Sequence, residues 1–225
     1  MTDFGPDHPE VATTLTQLGD AWSDLGKPDT ARELHQRALT IRERHFGPNH
    51  PRVAATLNNL GNAWLRLGEP ATARDLYQRA LTIQERHFGP DHPEVAGRLT
   101  NLGNAWVDLG EPATARDLLQ RALTIRERHF GPDHPEVGII LNNLGKAWSD
   151  LGRPDTARDL LQRALRIYRS HFPDGHPMID LIIRNLRLVD PDVILLDDGR
   201  VVGSPALHDL VSAENASISR KIAPA

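Results

Sequence analysis

The chain has 225 residues and a formal net charge of −4, and it contains no cysteine. The lack of cysteine excludes disulfide frameworks, thiolate zinc sites and cysteine nucleophiles. The mildly acidic balance gives no electrostatic basis for binding nucleic acid or an anionic membrane, since neutralising phosphates requires clustered Lys and Arg. No charged-then-apolar leader follows Met1, and no apolar run is long enough to span a membrane. We therefore expect a cytoplasmic protein whose partner is neither a nucleic acid nor a membrane.

The sequence repeats with a period of 42 residues. The hexapeptide Phe-Gly-Pro-Asp/Asn-His-Pro begins at Phe4, Phe46, Phe88 and Phe130, and a degenerate copy begins at Phe172. The tryptophans follow the same period, at Trp22, Trp64, Trp106 and Trp148. A regular period of this length is typical of stacked supersecondary units. We predict four complete repeats, over residues 4–45, 46–87, 88–129 and 130–171.

Each repeat is predicted to form two helices, as the second repeat illustrates. Pro51 can occupy the first position of a helix, where its missing N–H costs nothing. The apolar side chains that follow recur at steps of three and four residues, which is typical of an amphipathic helix. They are Val53, Leu57, Leu60, Trp64 and Leu67. Gly68 can end this helix and Pro70 can begin the second one, and no strand pattern occurs in residues 1–171.

The order of small and large residues in each repeat resembles the tetratricopeptide repeat. In the second repeat the matching positions are Leu60, Gly61, Trp64, Ala73, Tyr77 and Ala80. The period of 42 instead of about 34 residues, the His-Pro between repeats and the run Leu57-Asn58-Asn59-Leu60 are similar to the kinesin light chain subclass. The resemblance implies an all-α, right-handed superhelical solenoid of antiparallel helix pairs. It also implies a scaffold for protein or peptide partners, without enzymatic activity or a cofactor.

The small residues of the repeat predict where helices approach closely. Gly61 and Ala73 are expected to let the two helices of the second repeat touch, and Ala80 to let the next repeat stack. Trp64 is expected to fill the wider gap as a fully buried side chain, so that its truncation would cost about 3–5 kcal/mol.

Eleven histidines occur, most of them in pairs five residues apart such as His45 and His50. A pair with a nearby Asp suggests a metal site, but structural zinc requires three or four converging ligands. One histidine of each pair lies at a predicted helix C-terminus, and the other directly precedes a helix-opening Pro. We therefore expect the histidines to hold the loop, and we predict neither a metal site nor a catalytic residue.

A row of polar residues on the first helix of each repeat is the candidate binding site. Similar proteins use these positions, on the concave side of the solenoid, to hold an extended peptide, and an Asn amide can both donate to and accept from a peptide backbone. The candidates are Asn58, Asn59, Asn62, Arg66, Asn101, Asn104, Asn142, Asn143 and Lys146. Because acidic residues outnumber basic ones along this row, we expect an uncharged or mildly basic peptide. The alternative is that these Asn residues are solvated or contact neighbouring repeats.

The repeat breaks down after Phe172. Residues 172–189 are predicted to form a degenerate fifth repeat with one helix, about 177–188, and Asp190 takes the position of the tryptophan. A β-hairpin over 193–202, a short helix over 205–211 and a disordered end are predicted within residues 190–225. This tail is similar to the last hairpin and helix of ABC-type ATPase domains, but it lacks every phosphate-binding motif. The resemblance of the tail implies no ATPase activity. The alternative function for the array is a sensor or spacer fragment of a larger signalling ATPase or regulator.

The predicted fifth helix is apolar around more of its circumference than one neighbouring helix can bury. Its apolar residues are Met178, Ile179, Leu181, Ile182, Ile183, Leu186 and Leu188. We expect the tail to fold back over the uncovered half, or the same surface to pair two chains about a two-fold axis.

Overall fold

The computed structural model describes residues 5–195 and 201–202, which form two compact units, unit 1 up to Pro132 and unit 2 from Asp133. Unit 1 contains α1 (Pro9–Asp24), α2 (Pro28–Phe46), α3 (Pro51–Arg66), α4 (Pro70–Phe88), α5 (Pro93–Asp108) and α6 (Pro112–Phe130). Unit 2 contains α7 (Pro135–Asp150), α8 (Pro154–His171), α9 (Pro177–Val189), β1 (Ile194–Leu195) and β2 (Val201–Val202). The predicted all-α fold is confirmed, and the one pair of two-residue strands among the described residues lies within the hairpin predicted over 193–202.

A proline occupies the first turn of every helix in the described residues, where it removes no intrahelical hydrogen bond. Before α3, His50 is the N-cap residue, and its Nδ1 accepts a hydrogen bond from the backbone N–H of Arg52 at 3.1 Å. The same cap recurs before the other odd-numbered helices, at His8, His92, His134 and His176. This geometry confirms the expected structural role for the histidines that precede the opening prolines of the odd-numbered helices.

Two kinds of glycine turn connect the helices. Gly68 adopts φ +80° between α3 and α4, and the N–H of Glu69 donates to the carbonyl of Trp64, which closes the end of α3. Gly89 adopts φ +87° directly after Phe88, the last residue of α4. Phe88 therefore ends a helix, whereas the sequence pattern placed it in the loop. Its ring stacks on the imidazole of His92, with 4.7 Å between the ring centroids.

Helices pack through a glycine opposite a large side chain, as the small residues predicted. A Cβ atom added at Gly61 of α3 would lie 2.6 Å from the ring of Tyr77 on α4. Across the next contact, Leu39 of α2 packs into a cluster with Val53, Leu57 and Leu60 of α3. Because α4 packs against α5 in the same way, the core of unit 1 runs from one helix pair to the next.

The tryptophans are not fully buried, so the expectation for Trp64 was wrong. Its ring is half-buried at the contact between α2 and α3, and the guanidinium of Arg32 lies 5.3 Å from the ring centroid. Arg74 lies in the same way 5.2 Å from the ring of Trp106. At Trp64 and Trp106 an arginine from the preceding repeat thus covers the ring by a cation–π contact, and part of the indole stays accessible to water.

In unit 2, α9 packs mainly against α8 and also contacts α7. It extends one residue beyond its predicted end, and Ile182 and Leu186 are buried whereas Leu181 and Leu188 are exposed. The strands β1 and β2 pair antiparallel, with Ile194 opposite Val202. The residues between them, the predicted helix over 205–211 and the predicted disordered end lie outside the described residues. Cover of α9 by the tail, or by a second chain, therefore stays a prediction.

Candidate functional site

Unit 1 contains a cavity of about 440 Å³ that is open to solvent. Most of its wall comes from α1, α3 and α5, which are the first helices of three successive repeats. The second helices α2 and α4 each add one side chain, His35 and Tyr77. The complete lining is Asp20, Ser23, Asp24, His35, Asn59, Asn62, Leu65, Arg66, Tyr77, Asn101 and Asn104. The cavity therefore lies along the predicted polar row.

Five of the nine predicted groove residues line this cavity: Asn59, Asn62, Arg66, Asn101 and Asn104. Asn58 does not, because it is 7% exposed and its Oδ1 accepts a hydrogen bond from Nδ2 of Asn101 at 2.7 Å. This bond joins α3 to α5. For Asn58 the structure thus shows the alternative role, a contact between neighbouring repeats.

The other three predicted residues lie on α7 in unit 2. Asn142 is buried like Asn58, and its Oδ1 accepts a hydrogen bond from Nδ2 of Asn185 on α9 at 2.8 Å. Its own Nδ2 donates to Oδ1 of the half-buried Asn143 at 3.3 Å. Lys146 is exposed one turn further along the helix. Asn142 therefore belongs to a helix contact, whereas Asn143 and Lys146 remain predicted contact residues.

Tyr77 and Asn62 form a fixed polar wall in the cavity. The Tyr77 hydroxyl donates to Oδ1 of Asn62 at 2.7 Å. Burial raises the pKa of Tyr77, so this hydroxyl keeps its proton at neutral pH and stays a donor. An Asn that accepts through its carbonyl still has two N–H donors. The wall is therefore able to donate to a carbonyl oxygen of a bound chain.

His35 is a cavity residue that sequence reasoning did not select. It occupies the repeat position of Tyr77, and its imidazole packs against Gly19, where an added Cβ would lie 2.5 Å from the ring. Its Nε2 lies 3.6 Å from Oδ1 of Asp20, and within the described part of the chain no group hydrogen-bonds to its Nδ1. Burial lowers the pKa of His35, although Asp20 opposes this shift. The available signal was the departure from Tyr and Leu at this position of the repeat.

The charged groups of the cavity are unevenly divided between α1 and α3. Asp20 and Asp24 come from α1, and Asp20 accepts a hydrogen bond from Nδ2 of Asn59 at 3.0 Å. Arg66 of α3 donates from Nη1 to the backbone carbonyl of Ser23 at 3.0 Å. One guanidinium thus opposes two carboxylates, which favours ligands that are neutral or carry a positive charge.

Neither a metal centre nor a membrane span is evident in residues 5–195. No group of three or more His, Cys, Asp or Glu side chains there is placed to hold a metal ion. None of the helices in this part of the chain has both the length and the apolar character to cross a membrane.

The sequence matches the family described as the tetratricopeptide repeat over residues 2–44, 21–86, 53–128 and 99–170. These overlapping matches cover well over half of the chain. The chain belongs to the tetratricopeptide repeat family. Its fold is one that generally mediates protein–protein interaction. No curated protein matches the chain.

Solved structures of kinesin light chain-like proteins share this tetratricopeptide repeat fold. A protein of Podosopora anserina assigned as a kinesin light chain with nearly identical TPR-like repeats is 21% identical, with a TM-score of 0.68, over 81% of this chain and 86% of that one. Its Q17M variant gives a TM-score of 0.69 at the same identity and coverage. BtubC (BKLC) of P. vanneervenii is 26% identical, with a TM-score of 0.67, over 78% of this chain and 70% of that one. These structures share the fold of this chain, which agrees with its resemblance to the kinesin light chain subclass.

Proposed function

We propose that this tetratricopeptide repeat protein is a non-enzymatic scaffold that binds an extended peptide of a partner protein in the cavity of unit 1. The observation that carries the proposal is the concentration of side-chain amides on two successive first helices. Asn59 and Asn62 come from α3, and Asn101 and Asn104 come from α5. An extended backbone offers N–H and C=O groups at regular intervals, and amides can pair with both.

The charges of the cavity support a partner segment that is uncharged or mildly basic. The carboxylates of Asp20 and Asp24 can accept hydrogen bonds from N–H groups of a partner segment. The guanidinium of Arg66 already donates a hydrogen bond to the carbonyl of Ser23. A peptide rich in Asp or Glu would meet two carboxylates at α1 and would be disfavoured by like-charge repulsion.

The test begins with a library of random twelve-residue peptides displayed on phage and selected against the full chain. The peptide that is selected most strongly is then titrated into the wild type and into the double variant Asn62→Ala/Asn104→Ala. We expect at least about tenfold weaker binding, since each lost hydrogen bond contributes about 1 kcal/mol. Gln17→Ala is the matched control, because Gln17 is exposed on α1 and does not line the cavity.

Unchanged affinity in the double variant, or the same loss in Gln17→Ala, would contradict the proposed site. Circular dichroism of each variant verifies that the helices persist. The non-enzymatic part of the proposal has its own test, because incubation of the chain with ATP and Mg²⁺ is expected to give no hydrolysis above background.

A further inference from the structure

The cavity of unit 1 is acidic on the side formed by α1. Asp20 and Asp24 both line it, and because they lie four residues apart, their side chains project from the same face of the helix. Two hydrogen bonds hold this side of the cavity against α3. Nδ2 of Asn59 donates to Oδ1 of Asp20, and Nη1 of Arg66 donates to the carbonyl of Ser23, each at 3.0 Å. The two carboxylates therefore lie in the cavity next to the contact between α1 and α3.

The positive charge of the cavity does not neutralise these carboxylates. Among the residues that line it, Arg66 is the only Lys or Arg, and its guanidinium donates to a backbone carbonyl. The last turn of α1 itself contains no basic residue, although the carbonyl groups at a helix C-terminus favour a nearby positive charge. A cation that belongs to the ligand would complement both the carboxylates and this helix end.

His35 provides a separate indication of the ligand's chemistry. Only 1% of this cavity residue is exposed, yet its Nδ1 has no hydrogen-bond partner within the part of the chain that the structure describes. Its Nε2 lies 3.6 Å from Oδ1 of Asp20, so the proton of the neutral ring is expected on Nε2, beside the carboxylate. Burial lowers the pKa of His35, so the ring is neutral at pH 7. Its Nδ1 is then an acceptor that lacks a donor, which favours a ligand rich in N–H groups.

The cavity also offers an apolar contact close to these acceptors. Leu65 is half-buried in the lining and directly precedes Arg66, which bonds to the end of α1. A lysine or arginine side chain combines an apolar stem with a cationic head. The cavity thus has one surface for the stem and another for the head.

We infer that the side of the cavity formed by Asp20, Asp24, His35 and Leu65 is a subsite for one lysine or arginine side chain of the bound peptide. The cationic head lies between the two carboxylates, and the stem packs on Leu65. This inference rests on the proposed peptide groove and adds the side chain that determines its specificity. The amides of the groove hold the peptide backbone, so the two kinds of contact can be tested separately.

The first test selects random twelve-residue peptides displayed on phage against the full chain. At one position of the aligned peptides, Lys and Arg should be enriched at least about threefold over the unselected library. Selection against Asp20→Asn/Asp24→Asn should lose this enrichment, because Asn keeps the oxygen that accepts from Asn59 but not the charge. The matched control is Asp29→Asn/Glu33→Gln, which removes two exposed carboxylates four residues apart on α2, outside the cavity, and should keep the enrichment.

The second test titrates the most strongly selected peptide by calorimetry. Asp20→Asn/Asp24→Asn should weaken its binding at least about tenfold, and Asp29→Asn/Glu33→Gln should not. A peptide with norleucine in place of its basic residue keeps the stem and lacks the charge. It should bind the wild type at least about tenfold more weakly, and it should bind Asp20→Asn/Asp24→Asn no more weakly than the charged peptide does. Circular dichroism verifies that both protein variants remain helical, and the norleucine comparison on the wild type does not depend on their folding.

Three outcomes would overturn the inference. They are a selected pool without enriched Lys or Arg, an enrichment or affinity that Asp20→Asn/Asp24→Asn leaves unchanged, and a norleucine peptide that binds the wild type as tightly as the charged one. If Asn62→Ala/Asn104→Ala weakens binding and Asp20→Asn/Asp24→Asn does not, the groove is correct and the basic subsite is wrong. A selection that yields no binding peptide would contradict both the groove and the subsite.

Discussion

Nε of Arg158 lies 3.0 Å from Oδ2 of Asp190, at the position where earlier repeats place an arginine over a tryptophan. Arg158 is the repeat equivalent of Arg32 and Arg74, and Asp190 is the equivalent of Trp64. The two atoms are close enough for an ion pair, although they are not aligned for a hydrogen bond. The arginine is therefore retained at Arg158, where an ion pair with Asp190 replaces the cation–π contact of the earlier repeats.

This ion pair predicts an asymmetric response to substitution. Arg158→Met should destabilise the fold by about 3 kcal/mol, because it leaves the carboxylate of Asp190 buried without its partner. Asp190→Asn should cost less, because the side chain of Arg158 is 24% exposed and also pairs with Asp155. Urea denaturation of both variants measures the difference, and equal losses would contradict the role assigned to Asp190.

Two glycines in first helices should respond in opposite directions to alanine. Gly61→Ala brings a Cβ to 2.6 Å from the ring of Tyr77, and overpacking of this kind costs about 1–3 kcal/mol. Gly97 lies within α5, where the nearest atom to an added Cβ is Nη2 of Arg126 at 3.6 Å. Gly97→Ala should therefore stabilise by about 1 kcal/mol through helix propensity. Chemical denaturation of the two variants measures the change in the free energy of unfolding that each substitution causes. Two changes of the same sign would contradict the close approach at Gly61.

The hydrogen bond between Asn101 and Asn58 should contribute more to the stability of the fold than to the binding of a peptide in the cavity. Asn101→Ala leaves Oδ1 of the buried Asn58 without its donor, which costs about 1–3 kcal/mol. Asn104→Ala, at the half-buried cavity wall, should cost less than 1 kcal/mol in stability. Thermal or urea unfolding checks both values. Equal destabilisation by the two variants would show that the hydrogen bond between Asn101 and Asn58 does not contribute to the stability of the fold.

His35 should make the stability of unit 1 depend on pH. Burial lowers the pKa of His35 below 6.5, so the unfolded chain binds a proton at a higher pH than the folded chain does. The contribution of the neutral imidazole is therefore complete above about pH 6.5 and is lost as the pH falls from there towards the folded-state pKa. His35→Leu, which copies Leu119 and Leu161 of later repeats, should remove this component.

The measurement compares urea midpoints at pH 8.0 and pH 5.5 for the wild type and for His35→Leu. The wild type should lose more stability between these pH values than the variant. His45→Leu is the control for the substitution itself, because His45 is exposed at the end of α2 and does not line the cavity. A variant that follows the wild-type curve would show that His35 is not the group responsible.

Local features of the sequence were sufficient to predict the helices of the repeat. Pro51 and Gly68 mark the ends of α3 in the sequence as they do in the structure, because helix starts and stops depend on residues within one turn. The histidines ahead of the prolines that open the odd-numbered helices were predicted to hold their loops, because a cap also acts within one turn. The end of α4 was placed one residue early, since Phe88 continues the helix up to Gly89.

The residues that line the candidate site could not be predicted from the sequence alone, because adjacent side chains of the same type have different surroundings in the fold. Asn58 and Asn59 are adjacent and identical, yet Asn58 is bonded to Asn101 and Asn59 lines the cavity. Which of them faces the next repeat depends on the rotation of α3 against α5, and these helices are joined by contacts about one repeat apart in sequence. His35 is a cavity residue because α2 brings it against Gly19 of α1.

The sequence by itself thus determined the repeat, the helix ends and the close approach at Gly61, since each depends on the period or on residues a few positions apart. Only the tertiary structure decided which amides line the cavity, that Arg32 covers Trp64, and that α1 leaves Leu18 exposed. The physical reason is that every repeat carries nearly the same apolar stripe, whereas burial depends on the neighbour that packs against it. Identical positions therefore become core in α3 and surface in α1.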